Sequence, residues 1–408
     1  MFFKKRANTE RVDRVAKLYL AYKFFGALFF AYPVFYQFAS QTITPVQVGI
    51  FFSVIGICGF IAEIPTGIIA DKRDRKSSGL FGTILLIAAP LIVFFGHTFP
   101  AYLIAAVFYG VGRAFLSGAL ESLVYDHKNV SRAVYRRVNV LEITYGQAGI
   151  LVSAACGGFL FSLQPSLPFI TEAIAGLICL ALIAAMQENN KADYIKPTAS
   201  HRQHFAQSVR HLFATAYLRI LVLMGITFSV MLGMCIQFVN EAAMIEHNLQ
   251  PDTRGFLIAG AGITTLIILN LVLLKVLKGD VERILYLAGG AVIAYALMAA
   301  DVMSLFLLGY LLWCCLNATS SFVKVMVHDH IPSSHRSTIT SNFKALAILI
   351  GLGGSTTAGL LVQSTGTPRA AYTVFAIISC FVLLPCAYWL ITHQSMSGLE
   401  PRPLSDSN

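Results

Sequence analysis

Charged residues are scarce in this chain. Only 12% of its 408 residues are Asp, Glu, Lys or Arg, whereas about 25% is typical of soluble domains. Hydrophobic residues make up 56%, and long apolar runs recur along the whole sequence. This composition excludes a soluble globular domain. It predicts a polytopic protein whose helices cross the lipid bilayer.

Sequence motifs of enzymes are missing too. The sequence has no glycine-rich phosphate loop, nucleophile elbow or metalloprotease helix, so we expect a protein that is not an enzyme. Its eight cysteines all lie in apolar runs, which argues against a disulfide framework or a cysteine metal site. His201 and His204 lie in a hydrophilic stretch, and we expect no metal there. No cofactor is predicted.

Twelve apolar runs are each long enough for a helix to cross the hydrocarbon, which needs about 20 residues. They cover roughly residues 15–39, 46–70, 77–96, 101–126, 138–163, 167–187, 217–240, 254–275, 283–301, 303–327, 338–361 and 369–392. One long hydrophilic interval divides them into two sets of six. We therefore predict an all-α membrane protein with an amino-terminal six-helix bundle (1–187), a cytoplasmic linker (188–216) and a carboxy-terminal six-helix bundle (217–408).

Positive charge is concentrated in the loops on one side of the predicted membrane. Of the 30 Lys and Arg residues, only Arg254 and Arg369 lie in the opposite loops. Because cationic loops stay in the cytoplasm, we expect both termini there. The net charge of +10 thus reflects membrane sidedness, and no nucleic-acid partner is predicted.

A charged hairpin, residues 67–76, joins the second and third spans. Its spacing resembles the loop between helices 2 and 3 of the major facilitator superfamily, with four matching positions: Gly67, Asp71, Arg75 and Lys76. The resemblance covers essentially the whole chain and implies two pseudo-symmetric six-helix bundles that alternate around a central site. The family usually has glycine where this chain has Asp74, which suggests a left-handed turn residue there.

By the family pattern, the hairpin closes the cytoplasmic face. Asp71 would lie at the amino-terminal end of the eleventh helix, near Thr338, where free N–H donors attract a carboxylate. Arg75 would pair with Asp126 at the end of the fourth helix. The resemblance thus assigns the four hairpin residues and Asp126 to a cytoplasmic gate.

Arg113 lies near the middle of the fourth span, where burying a charge costs at least about 2.5 kcal/mol. It must therefore face a cavity or a partner. The sequence Gly110-Val-Gly112-Arg113 resembles the helix-4 arginine motif of proton-coupled family members, in which the arginine serves proton transfer or substrate binding. The alternative is a structural arginine satisfied by carbonyls or by a carboxylate.

Carboxylates in the first half have lysines as counterparts in the second. Glu121 and Glu142 lie on the cytoplasmic side of the fourth and fifth spans, and Lys324 and Lys344 occupy nearly equivalent positions in the second half. We hypothesise that they pair when the cavity opens outward and that protonation weakens this gate. Glu121, Asp126 or Glu142 would then carry the proton. Alternatively, these side chains snorkel to water and have no conformational role.

Small residues recur every four positions in two spans that correspond between the halves. They are Gly149, Ser153 and Gly157 in the fifth span, and Gly351, Ser355 and Gly359 in the eleventh. Such ladders permit close backbone approach between helices in lipid. The first ladder and Gly158 also resemble the antiporter motif of exporters, although Ser153-Ala154 replaces the usual Gly-Pro.

Polar and aromatic residues at membrane depth indicate a substrate cavity. The candidates are Lys23, Tyr32, Tyr36, Gln37, Arg113, Gln147, Gln237, Asn240, Trp313 and Asn317. A mixed aromatic and amide lining suits amphipathic molecules, although packing or lipid contact is the alternative for any single aromatic.

The sequence therefore predicts a secondary transporter, since it carries no ATP-binding signature. Our first hypothesis is proton-coupled efflux of an amphipathic small molecule, by a monomer in a bacterial plasma membrane. The alternative is an importer or facilitator of a small organic anion, held by Arg113 and Lys23. A third class, a transporter-shaped receptor, would bind a ligand without moving it.

Overall fold

The computed structural model describes residues 14–72, 74–125, 127, 132–187, 213, 215–320, 322–323, 326–327 and 336–393. Every element in this part of the chain is a helix. The helices up to residue 185 are α1 (Arg14–Phe25), α2 (Phe35–Ala39), α3 (Pro45–Lys72), α4 (Arg75–Gly96), α5 (Phe99–Leu116), α6 (Ala119–Tyr125), α7 (Arg132–Leu163) and α8 (Leu167–Ala185).

Further helices follow residue 215 in the described part of the chain. They are α9 (Ala216–Met234), α10 (Asn240–Glu246), α11 (Pro251–Ile268), α12 (Leu274–Val276), α13 (Asp280–Met298), α14 (Met303–Thr319), α15 (Arg336–Thr365), α16 (Arg369–Ile378) and α17 (Leu384–Thr392). Three π-helical turns, at Cys235–Val239, Leu269–Leu273 and Ser379–Leu383, continue α9, α11 and α16 into the helices that follow them.

Helices occupy all twelve predicted spans, but not all of them are long. Among the described residues, ten helices are long and apolar enough to cross a membrane. The first predicted span carries α1 and α2, and the tenth carries α14, which is a shorter apolar helix. The all-α membrane fold is thus confirmed, whereas the count of twelve crossings stays a prediction.

The first span is not the continuous helix that we predicted over 15–39. α1 ends at Phe25, and the chain reaches α2 only after nine residues, 26–34, which we call the unwound segment. Its backbone makes short-range turns, such as the bonds from Tyr32 N to Phe29 O and from Val34 N to Ala31 O. Pro33 explains part of the break, since proline has no N–H and disfavours helical backbone in the preceding residue.

The described residues cluster into two compact units. The first unit comprises described residues of Met1–Ile195 and Leu249–Gly260. The second comprises described residues of Lys196–Asn248 and Ala261–Asn408. The beginning of α11 therefore belongs to the first unit, although it follows the second unit's α9 and α10 in sequence. The predicted boundaries at residues 187 and 217 stay a prediction.

Each unit has its own core. In the first, Phe35 stacks on Phe51 at a ring-centroid distance of 5.0 Å, and Tyr102 lies edge-on to both. In the second, Tyr295 lies edge-on to Phe375 at 5.4 Å, and both are buried. Aromatic pairs of this kind contribute about 0.5–1.5 kcal/mol beyond the area they bury.

The charged hairpin begins α4 in a way that the sequence analysis did not anticipate. Asp74 has φ −170° and ψ 124°, which is extended backbone and not the left-handed turn suggested by the family's glycine. Its carboxylate accepts hydrogen bonds from Lys76 N and Ser77 N, both at 3.2 Å. Aspartate is preferred at this position because it satisfies the free N–H groups of the first helical turn. The prediction of a turn residue was wrong, and Asp74 is a helix cap.

Candidate functional site

A cavity of about 440 Å³ lies within the first unit, between the first span and α7. The first span contributes the end of α1 and the beginning of the unwound segment. Its lining includes Tyr22, Lys23, Phe29, Glu142, Ile143, Gln147 and Ile150. Glu142 lies ten residues into α7, which corresponds to a depth of about 15 Å from the start of that helix. Three predicted site residues, Lys23, Glu142 and Gln147, therefore meet at one cavity.

Two charged residues form an ion pair on the wall of this cavity. Lys23 Nζ lies 3.4 Å from Glu142 Oε2, and the hydroxyl of Tyr19 donates to the same oxygen at 2.5 Å. The ammonium of Lys23 also lies 5.1 Å from the centre of the Tyr19 ring. Both charged side chains keep contact with the cavity, with 34% of Lys23 and 19% of Glu142 exposed. This pair is therefore accessible to a solute or a proton.

The first glycine ladder brings α7 against the first span. A Cβ atom added at Gly149 would lie 2.5 Å from the carbonyl oxygen of Phe24, and one at Gly157 would clash with the carbonyl of Phe30. Only glycine permits this approach. The backbone of α7 thus forms one wall of the cavity and supports the unwound segment.

The neighbouring glycine of the antiporter-like motif contacts another helix. A Cβ at Gly158 would clash with the carbonyl of Pro251, and one at Gly255 would clash with that of Ala154. The start of α11 therefore packs directly on α7 within the first unit.

The second ladder behaves differently. A Cβ at Gly351 would meet only Val230, at an ordinary 3.8 Å, so this glycine is not needed for close approach. Ser355 instead donates to Gln237 Oε1 at 2.5 Å. At the positions that can be compared, Gly149 and Gly351, the two ladders therefore share their spacing but not their packing.

Arg113, near the end of α5, is exposed and lies against the cavity wall. Its guanidinium is 5.6 Å from the ring centre of Phe29, a cavity-lining residue. It also interacts electrostatically with Tyr109, one turn earlier on α5, and with Glu172 of α8. The guanidinium of Arg113 thus lies beside a cavity-lining ring, and Tyr109, one turn earlier, bonds to a carboxylate, so both interpretations of this arginine remain open.

Glu172 is a site residue that the sequence analysis missed. One carboxylate oxygen accepts from the hydroxyl of Tyr109 at 3.1 Å, and the other accepts from the backbone N–H of Ala31 at 3.3 Å. Glu172 is the only charged residue between Leu167 and Ala185. An ionisable residue inside a span marks a functional site by default, so the signal was present in the sequence.

The cytoplasmic gate residues are described only in part. Arg75 Nη1 donates to the carbonyl of Ser122 in α6 at 2.9 Å, and Lys76 Nζ donates to the carbonyl of Ala184 in α8 at 2.6 Å. A Cβ at Gly67 would meet no atom within 4 Å. Asp126 and the side chain of Asp71 lie outside the described residues, so the predicted latch stays a prediction.

The predicted carboxylate–lysine pairs also stay predictions. Lys324 and the side chain of Lys344 lie outside the described part of the chain. Glu121 is exposed on α6 and accepts from the hydroxyl of Tyr135 at 3.0 Å. Glu142 pairs with Lys23 and Tyr19, partners that sequence positions alone did not suggest.

Other predicted substrate residues have partners within their own unit. Gln37 of α2 accepts a hydrogen bond from Arg254 of α11, which is fully buried and which we had considered only as a loop charge. Tyr32 and Tyr36 are half-buried. None of these three residues is part of the described cavity lining.

The second-unit candidates contribute mainly to packing. Asn240 is 5% exposed and accepts from the hydroxyl of Tyr372 at 2.9 Å. Trp313 is 3% exposed and stacks on Tyr310. Asn317 is half-buried, and its carbonyl accepts from the Ser320 hydroxyl at 2.7 Å. Substrate roles for Asn240 and Trp313 stay predictions, and their burial does not favour them.

Apolar helices of membrane-spanning length, a discontinuous first span and a cavity lined by an ion pair are typical of a secondary transporter. The sequence model of the Major Facilitator Superfamily matches residues 18–324. The chain belongs to this family of transporters of small solutes, and it is not an enzyme.

Solved transporters share the fold at low sequence identity. The nucleoside transporter NupG superposes with a TM-score of 0.75 at 13% identity, covering 93% of this chain and 98% of its own. A D-xylose–proton symporter gives 0.69 at 15% identity, covering 91% and 95%. The POT family transporter PepTSo gives 0.68 at 12% identity, covering 96% and 98%. Among curated proteins, no sequence matches this chain.

Proposed function

We propose that this transporter exports an amphipathic small molecule in exchange for protons, and that Glu142 carries the proton. The observation that supports this proposal is the Lys23–Glu142 ion pair on the cavity wall. A carboxylate at this position is open to protons, and its charge state controls a neighbouring cation.

Exchange follows from competition at this pair. Ionised Glu142 holds the ammonium of Lys23 and accepts from Tyr19. Protonation removes the negative charge, so Lys23 loses its counter-ion and the electrostatic field at the cavity wall becomes more positive. A solute whose affinity changes with this field must change the proton affinity of Glu142 by the same factor. Such reciprocity is the thermodynamic requirement of coupled transport.

The lining suits an amphipathic solute. Phe29, Ile143 and Ile150 offer apolar and aromatic surface, and Gln147 offers an amide that both donates and accepts. Pockets with a mainly apolar wall and a few placed polar groups bind small organic molecules well.

We infer the sidedness from charge. Because Lys and Arg are concentrated in loops on the amino-terminal side, both termini lie in the cytoplasm of a plasma membrane. A monomer as the working unit is a separate part of the proposal. The predicted gate residues Asp71, Arg75 and Lys76 would then close the cytoplasmic mouth.

The experiment is solute exit from proteoliposomes under an imposed pH gradient. We expect external acid to accelerate exit through the wild-type protein. Glu142→Gln should reduce this response by roughly tenfold, within the usual range of coupling between two sites. Thr144→Val, a change two residues away on α7 at a side chain that bonds only weakly to Val140 O, should respond as wild type does. A full response in Glu142→Gln would refute Glu142 as the carrier, and no response in wild type would refute proton exchange.

The cations of the first unit favour a second candidate function. Lys23 lines the cavity, and the guanidinium of Arg113 lies 5.6 Å from the ring centre of the lining residue Phe29. Two positive groups near one cavity suit a small organic anion, taken up or facilitated without proton exchange. Counterflow of organic anions without a pH gradient tests this alternative. If the alternative is correct, Lys23→Gln should abolish the counterflow of organic anions. If it is wrong, the exchange of neutral solutes should remain measurable in this variant.

A further inference from the structure

We propose that Glu172 is a second proton-binding site, and that its proton occupancy sets the conformation of the unwound segment. Glu172 lies on α8, whereas the cavity and its ion pair lie between the first span and α7. It is therefore separate from the Lys23–Glu142 pair.

The unwound segment needs the carboxylate. Residues outside a regular helix lack the repeating backbone bonds that satisfy their N–H groups, and an unsatisfied group inside a membrane costs several kcal/mol. Ala31 lies in this segment, and its N–H donates to Glu172 Oε2 at 3.3 Å. An ionised acceptor makes this bond about twice as strong as a neutral one. Glu172 thus fastens the segment to α8.

Protonation would change both hydrogen bonds of Glu172. The ionised carboxylate accepts from Tyr109 on one oxygen and from Ala31 on the other. A protonated carboxyl has one O–H and one carbonyl oxygen, so the O–H would donate to the Tyr109 hydroxyl, which would turn to accept. The carbonyl oxygen would keep Ala31, but the bond would be neutral and weaker.

Few ionisable groups lie on the helices around Glu172. From α5, Tyr109 and Arg113 interact with it electrostatically. The helix α4, which packs on α8, has no ionisable side chain from Ser77 to Gly96. α1 contributes Tyr22 and Lys23, and both of these side chains line the cavity.

On α7, the ionisable groups from residue 142 onward are Glu142, which pairs with Lys23, and Tyr145 and Cys156, which are exposed. Arg113 is thus the cation on the face of α5 that meets Glu172, one turn after Tyr109. Neutralising Glu172 would leave Arg113 without this carboxylate and would loosen the segment that carries Phe29. Both effects would change the cavity wall at Phe29, which lies beside Arg113 and belongs to the unwound segment.

Hydrogen–deuterium exchange of the full-length protein in lipid nanodiscs, without substrate, tests the proposal. The measured quantity is the exchange rate of the peptide that covers residues 26–34, corrected for the intrinsic effect of pH on exchange. In wild type we expect this peptide to exchange about tenfold faster at acidic than at alkaline pH, the size expected when a charge-assisted hydrogen bond becomes neutral. Glu172→Gln mimics the protonated carboxyl and should exchange fast at both pH values.

Two further variants complete the test. Thr171→Ala changes the adjacent residue of α8, whose hydroxyl bonds only to its own helix, and should behave as wild type. Tyr109→Phe removes one of the two bonds that orient the carboxylate, and should give intermediate exchange at alkaline pH. It also keeps the test decisive if Glu172→Gln does not fold.

Either of two results would overturn the proposal: exchange in Glu172→Gln that still depends on pH, or exchange in both variants equal to wild type. Because no substrate or gradient is present, the outcome does not depend on whether Glu142 drives export.

Discussion

The two units use their first long span differently. In the first unit this span is broken into α1 and α2, and its polar residues face the cavity or hold charged partners. In the second, α9 continues through a π-helical turn into α10, so that Ala216–Glu246 is one apolar run. Two of its polar residues, Gln237 and Asn240, bond to Ser355 and Tyr372 of the same unit, and the carboxylate residue Glu241 is buried beside them.

The physical cause lies in the backbone. The first span contains Pro33, whereas Ala216–Glu246 has no proline. A broken helix exposes N–H and C=O groups that must find other partners, and it separates side chains from their helical neighbours. Polar residues near the break can therefore exchange partners, while those on the continuous helix take part in stable packing. This difference is why we place proton and solute chemistry in the first unit.

The placement of ion pairs supports the same contrast. Lys23 and Glu142 pair deep in the first unit, beside the cavity. In the described part of the second unit, Arg283 pairs with Asp280 at the start of α13, and Arg369 pairs with Glu246 and Asp301 near helix ends. Pairs at helix ends are nearer to water and serve structure more than coupling.

Substitution of the ladder glycines should show the largest difference between the units. Gly157→Ala places a methyl group against the backbone carbonyl of Phe30, which cannot turn aside as a side chain could. We expect it to lower the free energy of unfolding by about 1–3 kcal/mol and to impair transport. Thermal unfolding in detergent and solute flux measure the two effects.

Gly351→Ala is the matched change in the second unit. Its methyl group would meet only Val230 at 3.8 Å, and alanine favours a helix over glycine by about 0.5–1 kcal/mol. We expect unchanged or slightly higher stability. Equal losses at both positions would mean that the two ladders pack alike, and the contrast between the units would fail at this point.

Much of this fold could be predicted from sequence because hydrophobic runs and loop charge report directly on the membrane. The hairpin at residues 67–76 was enough to indicate the family. The break after Phe25 was missed, although Pro33 was visible, because apolar composition alone does not distinguish a continuous span from an interrupted one. Helix breaks of this kind depend on tertiary partners such as Glu172 to satisfy the backbone.

Three residues that line the cavity were named from the sequence, but their pairing was not. Lys23 and Gln147 were selected because polar residues at membrane depth are costly, and Glu142 because a lysine occupies nearly its equivalent position in the second half. The partner of Glu142 depends on how α7 packs against α1, which sequence position does not reveal. Glu172 satisfied the same criterion as the residues selected, and applying that criterion to every span would have found it.

Removal of a buried hydrogen bond in the second unit should give an intermediate effect. Tyr372→Phe deletes the donor to Asn240 and leaves a buried acceptor without it, so we expect a loss of about 1 kcal/mol in unfolding free energy. Substrate affinity should stay unchanged, since both residues are packed inside the unit. Tyr388→Phe, at an exposed tyrosine, is the control for loss of a hydroxyl. A lower affinity in Tyr372→Phe without loss of stability would instead give these residues a substrate role.

The smallest effect is expected at the helix ends of the second unit, where Arg369 has two carboxylate partners. Asp301 lies 2.7 Å from Arg369 Nη1 but is 77% exposed, so water and salt screen the pair. Asp301→Asn should therefore change stability by less than about 0.5 kcal/mol.

The matched change is at the less exposed partner of Arg369. Glu246 is 24% exposed and also accepts from the Thr367 hydroxyl at 2.8 Å, so Glu246→Gln should cost about 1 kcal/mol. Unfolding at low and high salt separates the two, because only the exposed pair should weaken further with screening. Neither change should alter the pH dependence of transport. If either one did, ion pairs of the second unit would take part in coupling, and proton chemistry would not be confined to the first.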